Sequence, residues 1–144
     1  MNTDRANTKS EAAQIHENGL ISEFIILDKR SRYSEFLSHP KRRIEILRRL
    51  NHFFDFRSER SSKIERLSSK EFVRLLRLRG AGRHGYVIGG NKDGCELPLE
   101  EAIESSLESP SGSVVSCIPG KLALYLQEFP PGEAFVLDSN ERGK

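Results

Sequence analysis

His52 and Asp55 stand three residues apart in PKRRIEILRRLNHFFDF (Pro40–Phe56), with Arg48 four residues before the histidine. On one helix face such spacing brings an imidazole, a carboxylate to orient it and a guanidinium within mutual reach. Those are the parts of a small nuclease-like phosphodiesterase, a general base beside a clamp for a phosphoryl group. In a chain with 31% charged residues the trio also arises by chance, as an ordinary surface pair that supports its helix. The balance leans away from an enzyme, and His52 and Asp55 stand as weak catalytic candidates.

The remaining reactive residues form no complete motif. Cys95 and Cys117 make neither a metal cluster nor a disulfide framework, and a reduced chain is the simpler reading. Cys117 sits among Val114, Val115 and Ile118 and reads as a small hydrophobe. His16, His39, His52 and His84 are scattered without zinc spacing, and Asn91-Lys92-Asp93-Gly94 lacks the alternating acids of a calcium loop. No metal and no cofactor is expected. Arg79-Gly80-Ala81-Gly82-Arg83-His84-Gly85 follows a helix and precedes a strand, the reverse of a phosphate-cradling loop, so it reads as a helix stop and turn.

Charge is the stronger signal. Asp28–Arg83 holds 17 Lys/Arg against 7 Asp/Glu, while residues 1–27 sum to −2 and 84–144 to −6. Such asymmetry points to a polyanionic partner or to an acidic self-contact. Lys41, Arg42, Arg48 and Arg49 would neutralise phosphates, with Arg30, Arg32, Arg74 and Arg77 as outer contacts if the two basic helices lie side by side. The plainer alternative is a solvated face, or a dock for the acidic helix bearing Glu100, Glu101, Glu104 and Glu108.

The elements that must position these groups follow from periodicity. Residues 1–19 are polar and read as a flexible tail; Leu20–Leu27, LISEFIIL, reads as a strand. Tyr33–Ser38 makes a short helix, and Pro40 opens the next. Along that helix Ile44, Ile46, Leu47, Leu50, Phe53 and Phe54 share an arc of about 180°, and Lys41, Arg42, Glu45, Arg48, Arg49, His52 and Asp55 the opposite one. Arg43 alone falls among the apolar positions, where its stem is expected to cover carbon and its head to reach water.

Residues 57–67 read as a loop. Ser68 with Glu71 forms a capping box for a helix through Phe72, Val73, Leu75 and Leu76. His84–Gly89 reads as a strand and Pro98 starts the acidic helix. Ser113–Ile118, Leu122–Glu128 and Glu133–Asp138 then form a meander turning at Pro119-Gly120 and Pro130-Pro131-Gly132, one face on helices and the other partly wet.

Leu97-Pro98-Leu99-Glu100-Glu101-Ala102 and Ser116-Cys117-Ile118-Pro119-Gly120-Lys121-Leu122-Ala123 resemble a family of small uncharacterised bacterial proteins. The likeness continues upstream through Tyr86-Val87-Ile88 and Pro40-Lys41-Arg42-Arg43, over roughly residues 24–138. The resemblance implies a bacterial, cytosolic protein; the family's activity is unknown, and no catalytic residue carries over.

The expected fold class is α+β, about four helices packed on a mainly antiparallel sheet that ends in a three-stranded β-meander. One domain spans 20–139, with flexible tails at 1–19 and 140–144. No apolar run reaches the roughly 18–20 residues of a membrane span, and MNTDRANTKSEAAQIHENG lacks a secretory pattern, so a cytoplasmic protein is expected. The expected function is a small binding module whose basic helix face takes a phosphate-rich partner, a nucleic acid. The alternatives are a regulatory module docking an acidic protein and the nuclease-like enzyme. Oligomeric state is not legible in the sequence.

Overall fold

A computed structural model describes residues 10–52, 55–128 and 132–139. Its first element departs from expectation. Glu11–Phe24 is one 14-residue helix, α1, capped by Ser10, whose hydroxyl accepts from the Ala13 amide at 3.1 Å. The expected tail therefore becomes helix from residue 11 onward, and the expected strand Leu20–Leu27 is helical as far as Phe24. The buried positions Ala13, His16, Glu17, Leu20, Ile21 and Phe24 explain both corrections. They recur at i, i+3, i+4, i+7, i+8 and i+11, a full helical stripe, but two of its six positions are polar and hide it. Beside that stripe Gly19 is required for steric reasons: a Cβ there would lie 2.4 Å from the Gly120 amide nitrogen. Helix α1 thus crosses directly over the Pro119-Gly120 turn.

Beyond α1, Ile25 makes a single antiparallel bridge with Phe56, and a 3-10 turn over Leu27–Lys29 leads into α2, Arg30–Leu37. The helix expected from Pro40 is shorter and later: α3 covers Arg43–Leu47 and tightens into a 3-10 turn at Arg48–Asn51. The two-sided character holds in part. Ile46 and Leu50 are buried and Leu47 is half-buried, but Ile44 is 61% exposed. Phe53 and Phe54 lie outside the described residues.

Three strands and two helices follow expectation closely. Helix α4, Ser69–Leu78, carries the full capping box: the Glu71 amide donates to Ser68 Oγ (3.2 Å) and the Ser68 amide to Glu71 Oε1 (3.0 Å). Helix α5 is Leu99–Glu108. The meander is β4 (Ser113–Ile118), β5 (Leu122–Leu126) and β6 (Ala134–Asp138), with the Lys121 amide donating to Ile118 O across the first turn at 2.9 Å. Pro130 and Pro131 of the second turn lie outside the described residues. The meander is extended on both sides into a six-stranded antiparallel sheet, order β1-β6-β5-β4-β2-β3. Here β2 is His84–Ile88 and β3 is Glu96–Pro98. Strand β1, Ser61–Ile64, lies in the stretch expected to be a loop; as an edge strand it pairs on β6 while its polar residues face out.

The fold is α+β, with five helices among the described residues rather than four. Both faces of the sheet are covered, so the expected wet face is also corrected. Along β5, Ala123 and Tyr125 join Leu20, Phe24, Tyr33, Leu37, Ile46 and Leu50 in one layer. Leu122, Leu124 and Leu126 join Phe72, Leu76, Leu99, Ala102 and Ile103 in the other. Helices α1, α2 and α3 therefore lie on one face, α4 and α5 on the opposite face. No described helix is long and apolar enough to cross a membrane.

Candidate functional site

The sheet separates the two basic helices that sequence alone left free to lie side by side. Lys41 and Arg42 are exposed at the corner between α2 and α3, Arg32 is exposed on α2, and Arg48 is exposed at the end of α3. Arg74 and Arg77 are exposed on α4, across the sheet. They do not extend the first cluster.

Several expected contacts are committed inside the protein. Arg49 grips Asp55 with Nε to Oδ2 at 2.5 Å and Nη2 to Oδ1 at 2.9 Å, and Arg30 Nε donates to Ile25 O at 2.9 Å. Further along, Arg57, Lys63 and Arg79 pair with Glu59, Glu133 and Asp138, while Arg60 and Arg66 donate to the carbonyls of Ser139 and Gly132. Much of the +10 excess of Asp28–Arg83 is therefore structural.

The catalytic pairing of His52 and Asp55 is not formed on a helix. The 3-10 turn stops at Asn51, and His52 is already extended (φ −129°, ψ 159°). Asp55 is 2% exposed and also accepts the Tyr33 hydroxyl at 2.7 Å. Burial pushes the Asp55 carboxyl up, but hydrogen bonds from Arg49 and Tyr33 and the nearby Arg49 charge outweigh it and hold the group below its ordinary value. A buried carboxylate that accepts from both Arg49 and Tyr33 anchors the turn that follows α3.

That anchor gives a pH dependence with a definite sign. A lowered folded-state value means the stabilisation is present above the ordinary carboxylate range and is lost as pH falls through the lowered value. Wild-type stability is expected to fall steeply below about pH 4. Asp55→Asn is expected to cost about 1–3 kcal/mol at pH 7 and to flatten that acid limb. Urea midpoints measured from pH 7 to pH 3 check it; equal acid slopes for the two proteins would refute the assignment.

Sequence reasoning missed the densest polar cluster. Arg43 is not snorkelling: its Nε and Nη2 hold both Asp93 oxygens at 2.8 Å, Nη2 also reaches Glu17 Oε2 at 2.8 Å, and Nη1 donates to Leu37 O at 3.0 Å. Tyr86 Oη donates to the same Glu17 oxygen at 2.6 Å, and Asp93 Oδ1 accepts the Gly89 amide at 2.8 Å. These residues line a cleft of about 1030 Å³ between α1 and the α2–α3 corner. The one available sequence signal was Arg43 itself, a guanidinium on an apolar arc with no stated partner. An anion entering the cleft would have to displace two carboxylates from Arg43, so the cluster ties α1 to the loop after β2 rather than offering a vacant cation.

Ser116 and His16 come close as well, Oγ to Nδ1 at 2.7 Å, with the imidazole stacked on Tyr86 at 5.4 Å. Burial lowers the His16 value, partly offset by Glu96, so the ring is neutral near pH 7. Both residues are buried where α1 packs on β4, and neither lines the cleft, which makes this a satisfied core contact. Burial pushes the Cys117 thiol up to about 12, so it stays protonated, as its apolar setting suggested.

No family model, curated protein or solved structure matches this chain. Among the described residues, Lys41, Arg42, Arg48 and Arg32 are exposed on the α1–α3 side, with the Arg42 guanidinium seated 4.5 Å over the Phe36 ring. Arg32 precedes Phe36 by four residues on α2, one helical turn away.

Proposed function

We propose that the protein is a binding module for a phosphate-rich partner, a nucleic acid, engaged at the corner between α2 and α3. The observation that carries the reading is the position of the acidic helix. Glu100, Glu101, Glu104 and Glu108 sit on α5, across the sheet from Lys41, Arg42 and Arg48, and so do not neutralise them. The stack on Phe36 supports the same reading. It seats the exposed Arg42 guanidinium on an aromatic ring, and a planar guanidinium suits phosphate and base faces. The proposal takes the protein as cytosolic and bacterial, as the resemblance of Leu97–Ala102 and Ser116–Ala123 implies.

The same surface carries Asp28, Glu35 and Glu45, all exposed, which limits the number of phosphates it neutralises. With about three or four phosphate contacts on a single strand, log affinity is expected to fall against log salt with a slope of about −2 to −3. Reversing Lys41 and Arg42 together to glutamate is expected to weaken binding at least about tenfold and to flatten the slope by about 1.4. Fluorescence anisotropy with a labelled oligonucleotide, from about 50 to 200 mM salt, measures both. Equal affinities for the wild type and the Lys41→Glu/Arg42→Glu variant would end the nucleic-acid reading. Retention of an acidic protein at moderate salt, without oligonucleotide binding, would move the function to the docking alternative.

A further inference from the structure

The opposite face of the molecule presents two unlike stripes side by side. Helix α4 exposes Lys70, Arg74 and Arg77, and α5, packed against it, exposes Glu101, Glu104 and Glu108. Phe72 and Leu76 on α4 and Leu99, Ala102 and Ile103 on α5 are buried against the sheet, so both stripes point away from it. Among the described residues no ion pair joins them; Ser69 Oγ reaches Glu104 Oε2 at 3.4 Å. The basic stripe also holds apolar surface. Leu78 is 82% exposed and, with Val73, borders a shallow groove of about 370 Å³ flanked by Lys70, Arg74 and Arg77.

The neighbouring stripe decides what fits there. Packed helices lie about 8–10 Å apart, close to one Debye length at physiological salt, about 8 Å. A nucleic acid or an anionic membrane laid over Arg74 and Arg77 would also meet Glu101 and Glu104. A partner must instead offer acid over α4 and base over α5, and this chain offers that pattern itself. A two-fold axis running along the seam between α4 and α5, parallel to the contact plane, places α4 of one copy over α5 of the other and repeats the contact in reverse. The perpendicular in-plane axis sets base on base and acid on acid.

We infer that α4 and α5 form a self-complementary docking face through which two copies of this chain associate, base on acid, with Leu78 and Val73 in the desolvated part. Isologous contacts of this kind are the commonest in soluble oligomers. Ten-residue helices are about 15 Å long, so the face is smaller than the roughly 800 Å² per partner of stable complexes. The dimer is accordingly weak, salt-sensitive and reversible.

Sedimentation equilibrium of the full chain, up to several hundred micromolar, tests it. At low salt the wild-type average mass is expected to rise with concentration toward that of two chains, and at high salt to fall back. Arg74→Glu/Arg77→Glu and Glu101→Lys/Glu104→Lys are each expected to weaken self-association at least tenfold. Their equimolar mixture is expected to restore it, because each supplies the charge the other has lost. Far-UV circular dichroism establishes that both variants are folded. A wild type that stays monomeric, a dimer unaffected by either reversal, or a mixture that fails to recover would overturn the inference. So would loss of oligonucleotide binding in the Arg74→Glu/Arg77→Glu variant, which would assign the stripe to a polyanion.

Discussion

Gly112→Ala is expected to lower folding stability by about 4 kcal/mol and the melting temperature by roughly 10–15 °C, although it adds a single methyl group. A Cβ at Gly112 would lie 1.9 Å from Leu50 O, 2.4 Å from Leu50 C and 2.8 Å from Asn51 N. All three are backbone atoms, so no rotamer change relieves the overlap. The Arg48–Asn51 turn must move, and it is bonded from three sides. Tyr125 Oη donates to Leu50 O at 2.6 Å, the Gly112 amide to Asn51 Oδ1 at 2.7 Å, and the Glu128 amide to Asn51 O at 3.3 Å. Lifting the turn also withdraws Leu50, which is fully buried, at about 2–3 kcal/mol, while each lost hydrogen bond adds about 1 kcal/mol. Gly82→Ala is the control: nothing lies within 4 Å of a Cβ there, and stability is expected to stay within about 1 kcal/mol of wild type. Urea unfolding followed by circular dichroism compares the two. A Gly112→Ala midpoint equal to that of wild type would mean that the turn does not dock on the start of β4.

Arg43→Met is the second large effect, a loss of about 3 kcal/mol or more at pH 7. The Glu17 and Arg43 side chains are only 5% and 15% exposed. Methionine fills the space of the stem but takes away the guanidinium that meets the Glu17 carboxylate at 2.8 Å beside the Tyr86 hydroxyl. It also breaks the two bonds by which Asp93 ties the loop after β2 to Arg43. Arg43→Lys is expected to recover only part of the loss, because an ammonium cannot grip both Asp93 oxygens while donating to Glu17. Adding Glu17→Gln to Arg43→Met is expected to cost less than the sum of the single changes, with a coupling of about 1–2 kcal/mol. Additive losses in that cycle would show that Glu17 and Arg43 do not act as a pair. The consequence reaches the binding proposal, since Arg43 opens α3 and follows Lys41 and Arg42 directly.

The parts of the fold that were legible in the chain are those whose signals are local. The Ser68–Glu71 capping box, the apolar spacing on α4 and α5 and the alternation along β5 depend on residues within a turn or two of one another, and all stand where expected. Helix α1 was not legible because two positions of its stripe are polar. His16 is satisfied by Ser116, a hundred residues away, and Glu17 by Tyr86, 69 residues away. Read without those partners, an interior stripe looks like a polar tail. Strand β1 failed for the opposite reason: Ser61–Ile64 has no apolar alternation of its own and becomes a strand by pairing with β6.

The candidate site divides in the same way. That Asp28–Arg83 is basic, and that the Pro40 helix has an apolar side, are properties of neighbouring residues, and periodicity reads them directly. Which cations reach solvent is a property of pairs far apart in the chain. Arg43 is taken by Asp93 fifty residues on, and Arg49 by an Asp55 that the core holds in place. The sheet then sets α3 and α4 on opposite faces and α4 beside α5, turning one run of positive charge into two surfaces with different neighbours. Short-range order follows from backbone sterics and hydrophobic period, which each segment carries within itself. The net charge of a surface follows from which segments the chain folds against one another, and strand order decides that.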